Sequence, residues 1–167
     1  MQKLWAPWRG KFILGKKGKN CFLCQSLKGG KYKQSLILYR GKKSFVIMNR
    51  FPYNTGHLMV CPNRHTGVLE NLTESEITDL MKTAQISIKV IRATLKPEAL
   101  NLGMNLGKIS GAGVANHLHL HIVPRWSGDT NFMPILAETK VVSISLKEVF
   151  NKLKKNFDKH FRDTIKK

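Results

Sequence analysis

Three histidines at alternate positions are the residues of this sequence best suited to chemistry. His117, His119 and His121 are separated by single leucines and followed by the apolar pair Ile122-Val123. In a β-strand, side chains two residues apart point to the same face, about 6.6 Å from one another. One face would then carry three imidazoles, and burying them without partners costs free energy. The pattern therefore predicts a strand that serves metal or phosphate chemistry.

Phosphate chemistry needs a nucleophile and a second group that handles the phosphate. A neutral imidazole can attack phosphorus and form a covalent intermediate, which divides one difficult displacement into two easier ones. A second histidine on the same face can contact that phosphate and assist the leaving group. His119 and His121 meet this requirement. The glycine-rich loop 107–113, which contains Gly111 and Gly113, supplies backbone that can approach an anion closely.

A second constellation has the composition of a zinc site. Cys21 and Cys24 form a Cys-x-x-Cys pair, and together with His65 and His117 they could close a structural Cys2His2 site. A single Cys-x-x-Cys pair is also compatible with a redox or a packing role. Cys61 lies in an apolar segment and is predicted to be a core residue.

The surrounding pattern predicts the elements that position these groups. Thr73-Glu74-Ser75-Glu76 is a capping box that starts a helix, and Pro97 ends it. Apolar residues at helical spacing follow the box: Ile77, Leu80, Met81, Ala84, Ile88, Ile91 and Leu95. Strands are expected at residues 35–40, 44–49, 57–61, 100–106 and 117–123, the last one stopping at Pro124. Strands and helices that are segregated in this way predict an α+β fold with an antiparallel sheet.

The last helix is basic and amphipathic. Its apolar side contains Leu146, Val149, Phe150, Leu153 and Phe157. Such a helix can bind a membrane surface, but Asp158 and Asp163 interrupt its basic side. Packing on the domain is the favoured interpretation.

Length and composition place further bounds on the protein. The 167 residues are enough for one domain with a normal core. A formal net charge of +19 points either to anionic partners, such as nucleotides or nucleic acid, or to a lysine-rich solvated surface. Three cysteines, no secretory signal and no long apolar run predict a cytoplasmic protein without a membrane span.

The histidine segment resembles the signature of the histidine triad (HIT) family, His-x-His-x-His followed by apolar residues. Three further segments resemble that family: 45–50 and 52–60, which match its strand–turn–strand that holds the nucleoside, and 101–107, which matches its strand before the phosphate loop. The resemblance implies a HIT domain over residues 1–167. Its core is expected at about residues 35–126, with an N-terminal Cys-x-x-Cys arm and a C-terminal basic helix.

The resemblance also implies a two-step nucleotidyl transfer at an α-phosphate. His119 would be the nucleophile that carries the nucleotidyl group, and His121 would contact the phosphate and the leaving oxygen. His117 would support the phosphate site or bind zinc with Cys21, Cys24 and His65. The resemblance implies no organic cofactor. It also implies a homodimer, as in the family.

Two asparagines complete the implied nucleotide site. Asn49 occupies the position that contacts the ribose, and Asn105 the position where Fhit-type hydrolases carry a phosphate-binding Gln. Gly113 replaces a second Gln of that type, which argues against a Fhit-like preference for triphosphates.

The tail 124–132 and the segment 4–9 resemble the branch of bacterial diadenosine tetraphosphate (Ap4A) phosphorylases, in which phosphate can replace water as acceptor. The implied activity is cleavage of dinucleoside polyphosphates by hydrolysis or phosphorolysis. Two alternatives remain at this stage: a Hint-type nucleoside phosphoramidate hydrolase, and a nucleotide or nucleic-acid binding module with little turnover.

Overall fold

Five antiparallel strands form one sheet in the order β1-β2-β3-β5-β4. The computed structural model describes residues 21–29, 36–130 and 144–165. The strands are β1 (Ile37–Arg40), β2 (Ser44–Met48), β3 (Leu58–Pro62), β4 (Ala99–Met104) and β5 (Leu120–Arg125). The helices are α1 (Phe22–Leu27), α2 (Glu74–Leu95) and α3 (Leu146–Ile165), with a short 3₁₀ turn at Leu69–Asn71 before α2. The predicted α+β fold with an antiparallel sheet is confirmed.

The long helix α2 begins at the predicted capping box. The Thr73 hydroxyl accepts a hydrogen bond from the Glu76 backbone N–H, and the Glu76 carboxylate accepts one from the Thr73 N–H. The two bonds satisfy donors that the first helical turn leaves open. At the other end Lys96 adopts a left-handed conformation and its N–H donates to the Arg92 carbonyl, a common way for a helix to end. Pro97 follows and cannot continue the helix, because it has no N–H.

Helices α2 and α3 cover one face of the sheet. Leu80, Ala84 and Ile91 of α2 are buried there, and so are Leu153 and Phe157 of α3. The basic helix α3 thus packs on the domain, as its apolar pattern predicts.

The prediction for α2 was wrong at two positions. Ile77 and Met81 are 43% and 47% exposed, and Thr83 and Ser87 are buried instead. Two polar contacts explain the exchange, because the Thr83 hydroxyl accepts from the Ser44 hydroxyl and Ser87 donates to the Thr83 carbonyl.

The opposite face of the sheet is partly covered by α1. Leu23 of α1 packs with Phe45, Met59 and Cys61 in a second buried cluster. Cys61 is fully buried, so its predicted core position is confirmed. The part of this face near β4 and β5 is not covered by a helix of the described chain. Within the described helices, no stretch is long and apolar enough to traverse a bilayer.

The strand that carries the histidines differs from the prediction at both ends. β5 begins at Leu120, three residues later than expected, and continues through Pro124 to Arg125. The partner strand β3 ends at Pro62, and the Leu118 N–H donates to the Thr66 carbonyl instead of to a strand. His117 and His119 therefore precede the strand, and the three imidazoles do not share one regular strand face.

Candidate functional site

Two imidazoles meet on the face of the sheet that α2 and α3 leave uncovered. His121 lies opposite Met59 in the β3–β5 ladder, and His119 lies directly before β5. Their ring centroids are 4.7 Å apart with the rings nearly perpendicular. Both side chains are buried, with 6% and 8% exposure. The structure therefore brings together the two residues that the sequence predicts to be catalytic.

The hydrogen bond of His119 fixes its tautomer. Its Nδ1 lies 2.8 Å from the backbone carbonyl oxygen of His117. A carbonyl oxygen only accepts, so Nδ1 carries the hydrogen and the lone pair of the neutral ring is on Nε2. Burial lowers the pKa of His119, and the bond to the His117 carbonyl opposes this shift. His119 is thus prepared as a neutral imidazole with a nucleophilic Nε2.

A second chain of hydrogen bonds gives His121 the opposite arrangement. The Tyr53 backbone N–H donates to Nδ1 of His57 at 3.1 Å, so the neutral His57 ring carries its hydrogen on Nε2. That Nε2–H donates to Nδ1 of His121 at 2.9 Å. Neutral His121 therefore carries its own hydrogen on Nε2. It is a hydrogen-bond donor at the ring position where His119 has a lone pair.

His57 contacts His121, and the sequence did not predict this contact. Its pattern predicts a structural histidine with satisfied hydrogen bonds, and the ring is indeed fully buried and bonded. The partner, His121, is 64 residues away in the chain. Only the pairing of β3 with β5, which places Leu58 opposite Ile122, brings the two rings together.

Asn49 lies at the same end of the site, in the turn between β2 and β3. Its Oδ1 accepts from the Phe51 N–H at 2.9 Å, and its Nδ2 lies 3.4 Å from Nδ1 of His57. The side chain thus orders the turn that holds His57. Its contact with a ribose stays a prediction.

A cavity of about 450 Å³ adjoins His121 on this face. Its polar lining includes Tyr53, Asn101, Asn105 and Arg125. Asn105, which the resemblance places at the phosphate, is therefore close to His121. Gly111 and Gly113 belong to the loop between β4 and His117 and do not line this cavity, and their contact with phosphate is untested.

An ion pair between the exposed Arg125 and the largely buried carboxylate of Asp129 links the end of β5 to the turn before His57. Asp129 accepts from Arg125 at 2.6 Å and from the Asn54 amide at 2.7 Å. The Arg125 guanidinium holds the pKa of Asp129 well below its usual range. The pair fixes the Tyr53–Asn54 segment against β5 and so supports the chain of hydrogen bonds to His121.

The third histidine of the motif turns to the Cys-x-x-Cys pair. Nδ1 of His117 lies 3.4 Å from Sγ of Cys21, 3.4 Å from Sγ of Cys24 and 3.2 Å from Nδ1 of His65. All four ligand atoms lie within 4.8 Å of one another. In a tetrahedral zinc site the ligand atoms are about 3.3–3.8 Å apart, given bond lengths of about 2.3 Å to sulfur and 2.0–2.1 Å to nitrogen. The residues present therefore fit a zinc ion.

The orientation of His117 agrees with a ligand role. Its Nε2 lies 2.9 Å from the Pro62 carbonyl oxygen, so Nε2 carries the hydrogen and the lone pair on Nδ1 faces the cluster. Both ring nitrogens are engaged in this way, which favours the metal role of His117 over the phosphate role. Burial and the neighbouring Cys21 raise the pKa of the Cys24 thiol.

Helix α1 positions the two cysteines. Cys21 directly precedes α1 and Cys24 lies in its first turn, so one short helix presents both thiols. The Arg40 guanidinium donates to the carbonyls of Ser26 and Leu27 at the other end of α1. The burial of Leu23 and this contact hold α1 on the sheet.

Comparison with known proteins agrees with the motif and the fold. A family model described as "HIT domain" matches residues 31–128. The chain belongs to the HIT family. One relative, the AP-4-A phosphorylase of Mycobacterium tuberculosis, is 37% identical over 156 residues, which cover 89% of this chain and 80% of that protein. The asymmetrical bis(5'-nucleosyl)-tetraphosphatase of Schizosaccharomyces pombe is 37% identical over 95 residues, 57% of this chain and 52% of that protein.

Solved structures of HIT proteins share the fold. A zinc-bound histidine triad family protein from Mycobacterium smegmatis superposes with a TM-score of 0.69 at 21% identity, over 86% of this chain and 97% of that one. A histidine triad nucleotide-binding protein from Sulfolobus tokodaii superposes with a TM-score of 0.67 at 26% identity, over 86% and 93%. The segment 4–9 and residues Asn131 and Phe132, which contribute to the predicted branch within this HIT family, lie outside the described residues.

Proposed function

We propose that this HIT protein is an enzyme that cleaves dinucleoside polyphosphates such as Ap4A through a nucleotidyl-histidine intermediate. The observation that carries the proposal is the pair of opposite tautomers at His119 and His121. A lone pair on one ring and an N–H on its neighbour are the two groups that a phosphoryl displacement requires. The M. tuberculosis and S. pombe relatives are named for reactions of dinucleoside polyphosphates, which supports this substrate class.

The first step forms a bond between Nε2 of His119 and the α-phosphorus. The phosphorus–oxygen bond to the leaving nucleotide breaks, and its electron pair goes to the leaving oxygen. His121 donates its Nε2 hydrogen towards that oxygen or a phosphate oxygen. In the second step the oxygen of phosphate or water attacks phosphorus, and the nitrogen–phosphorus bond breaks and returns its electrons to Nε2 of His119. The hydrogen of the attacking oxygen passes to Nε2 of His121, which gave up its own hydrogen in the first step.

Phosphate is the acceptor that we favour for the second step. The match to the M. tuberculosis phosphorylase extends over 89% of this chain, whereas the match to the S. pombe hydrolase covers 57%. From Ap4A, phosphorolysis yields ATP and ADP, because the adenylyl group on His119 takes up one phosphate. Hydrolysis at the same α-phosphorus yields ATP and AMP, whereas two ADP would mean cleavage at the central phosphate bridge and would contradict this intermediate.

The net charge of +19 fits a polyanionic substrate. Positive charge attracts anionic ligands and speeds their association, and this effect weakens with salt. The same charge motivates the second candidate, a nucleic-acid binding module with little turnover. Strong salt-sensitive binding of DNA or RNA without cleavage of Ap4A would support that candidate.

The cluster of Cys21, Cys24, His65 and His117 is proposed to hold structural zinc. Four protein ligands close a tetrahedral site, so the ion would supply rigidity and no open coordination position. Elemental analysis of the purified protein is expected to give one zinc per chain. Cys24→Ser should lose the metal, whereas Cys61→Ala, which removes a buried thiol outside the cluster, should retain it. Metal-free wild-type protein with full stability would contradict the proposal.

We further propose a homodimer in the cytoplasm. β4 is at an edge of the sheet, and the nearby side chains of Leu102 and Leu106 are 44% and 46% exposed. An edge strand with exposed apolar residues is a template for pairing with another chain. Sedimentation equilibrium should give twice the chain mass of 19.0 kDa. Cysteines that stay reduced and available as zinc ligands are typical of a reducing compartment.

The activity is tested by incubating the protein with Ap4A in the presence and absence of phosphate and separating the products. ATP plus ADP only in the presence of phosphate is the expected result. His119→Ala should reduce kcat by at least about 10⁴-fold and still bind nucleotide. A matched control is His160→Ala, which changes a histidine of α3. Turnover that survives in His119→Ala would refute the covalent mechanism.

A further inference from the structure

A glycine in the middle of β4 has no explanation in the contacts of the residues that the structure describes. Gly103 lies in the strand interior, where glycine normally weakens the strand and supplies no side chain to pack. Such a glycine is usually explained by a bulge, by a positive φ or by the close approach of another group.

The described contacts exclude each of these causes. The β4–β5 register is continuous from Ala99 opposite Arg125 to Met104 opposite Leu120, so there is no bulge. Gly103 is not among the described residues with positive φ. A Cβ built on it meets nothing within 4 Å. Residues 21–29, 36–130 and 144–165 therefore leave space above Gly103 that a side chain could fill without a clash.

The register shows where that space lies. Gly103 is directly opposite His121 in the β4–β5 ladder, and residues that face each other across a ladder point to the same side of the sheet. Both residues line the cavity of about 450 Å³. Pairing of β4 with a second copy would extend the sheet in its own plane, at right angles to this direction. A second chain at the edge therefore does not account for the missing side chain.

The polar groups of the cavity are suited to a nucleoside. Asn101 and Asn105 carry amides that can pair with the polar edge of a base, and Tyr53 provides an aromatic ring. The Arg125 guanidinium is engaged by Asp129 at 2.6 Å and by Asn101 at 3.0 Å, so its charge is largely compensated. The volume lies within the range of small-molecule sites.

We propose that the cavity above Gly103 binds the second nucleoside of the dinucleoside polyphosphate, on the leaving-group side of His121. This inference rests on the proposed function. Gly103 acts as a specificity residue, because any side chain at this position would occupy the floor of the cavity beside the catalytic rings.

The test compares Gly103→Ala and Gly103→Val in the full-length chain. With Ap4A, KM should rise by about tenfold or more for Gly103→Ala and further for Gly103→Val, the effect that an added methyl group has in a fitted pocket. The p-nitrophenyl ester of AMP has no second nucleoside, and its KM should be unchanged. The melting temperature of neither variant should be below that of wild type, because alanine and valine are more favourable in a strand than glycine. Ala99→Val is the matched control, since it adds bulk on the same strand and face outside the cavity.

Binding separates this inference from the proposed function. Ap4A and AMP affinities are measured by calorimetry in the His119→Ala background, where no turnover is needed. A weaker Ap4A affinity with unchanged AMP affinity supports the subsite even if wild type proves inactive. An unchanged Ap4A affinity in both Gly103 variants overturns the subsite even if wild type is fully active. An equal loss for both ligands, or a change of oligomeric state, also overturns it, because the effect would then be a general distortion.

Discussion

The approach of two backbone segments at Gly67 yields a prediction that tests how the site is held together. A Cβ on residue 67 would lie 2.4 Å from the Ala115 carbonyl oxygen and 2.8 Å from the Asn116 Cα. Ordinary contacts begin near 3.4 Å, so the two segments must separate by about 1.0 Å at their closest point. The opposing atoms are backbone atoms and cannot rotate away. Gly67→Ala is therefore expected to destabilise the protein by about 1–3 kcal/mol, the usual cost of overpacking.

The two segments that Gly67→Ala would push apart contain residues of the candidate site. His65 and His117 are both within two residues of this contact, and their Nδ1 atoms are 3.2 Å apart. The neighbouring bond from the Leu118 N–H to the Thr66 carbonyl, 2.7 Å long, would stretch as well. The carbonyl of His117 in turn fixes the ring of His119. A shift of about 1 Å at a catalytic group can reduce the rate about 10²-fold, so kcat/KM for Ap4A should fall by that order.

Three measurements check the prediction: urea unfolding, kcat/KM for Ap4A, and the zinc content after dialysis. Val68→Ala is the control. Val68 is next to Gly67 in the chain and is 48% exposed, so truncation of its side chain should change the free energy of unfolding by less than about 0.5 kcal/mol. The reasoning about backbone contact is refuted if Gly67→Ala matches wild type in stability and in kcat/KM. A loss of stability without any change in zinc content or rate would show that the contact supports the fold alone.

Three further outcomes are expected. Phe157→Ala should lower the free energy of unfolding by about 3–5 kcal/mol in urea titrations, because the ring is fully buried, whereas exposed lysines of α3 should tolerate alanine. The bond from Arg64, followed by that from the Thr73 N–H, lowers the pKa of Glu76 from 4.5 to about 2. Its stabilisation should therefore be complete above pH 4.5 and be lost as the pH falls towards 2, and Glu76→Gln should flatten acid unfolding over that range. His57→Leu should reduce kcat by about tenfold or more with little change in KM, and His57→Gln, which keeps an N–H donor, should recover part of the loss.

Local patterns in the sequence are sufficient for most of the fold. The capping box at Thr73 and the stop at Pro97 define α2 because both act locally: the box makes bonds within the first turn, and the proline has no N–H to continue the helix. The predicted start of β5 was wrong by three residues, because the start depends on where a strand distant in sequence ends. β3 ends at Pro62, and the segment beyond it bonds to Leu118 through Thr66. No pattern within the histidine run itself carries that information.

The candidate site also has parts that the sequence predicts and parts that it does not. The metal cluster could be predicted because each of its four members is a residue type with a known affinity for zinc. The bond between His57 and His121 could not, since it depends on the register of two strands far apart in sequence. Gly103 likewise has meaning only when the register places it opposite His121.

Equal spacing along the motif does not make the three histidines equivalent, because each ring receives its tautomer from a different partner. The Pro62 carbonyl takes the Nε2 hydrogen of His117 and leaves Nδ1 to the cysteines. The His117 carbonyl takes the Nδ1 hydrogen of His119 and leaves a lone pair on Nε2. The ring of His57 donates to Nδ1 of His121 and leaves a hydrogen on Nε2. In the proposed mechanism one repeated side chain would thus provide a metal ligand, a nucleophile and a hydrogen-bond donor, and the groups behind the rings set which role each ring has.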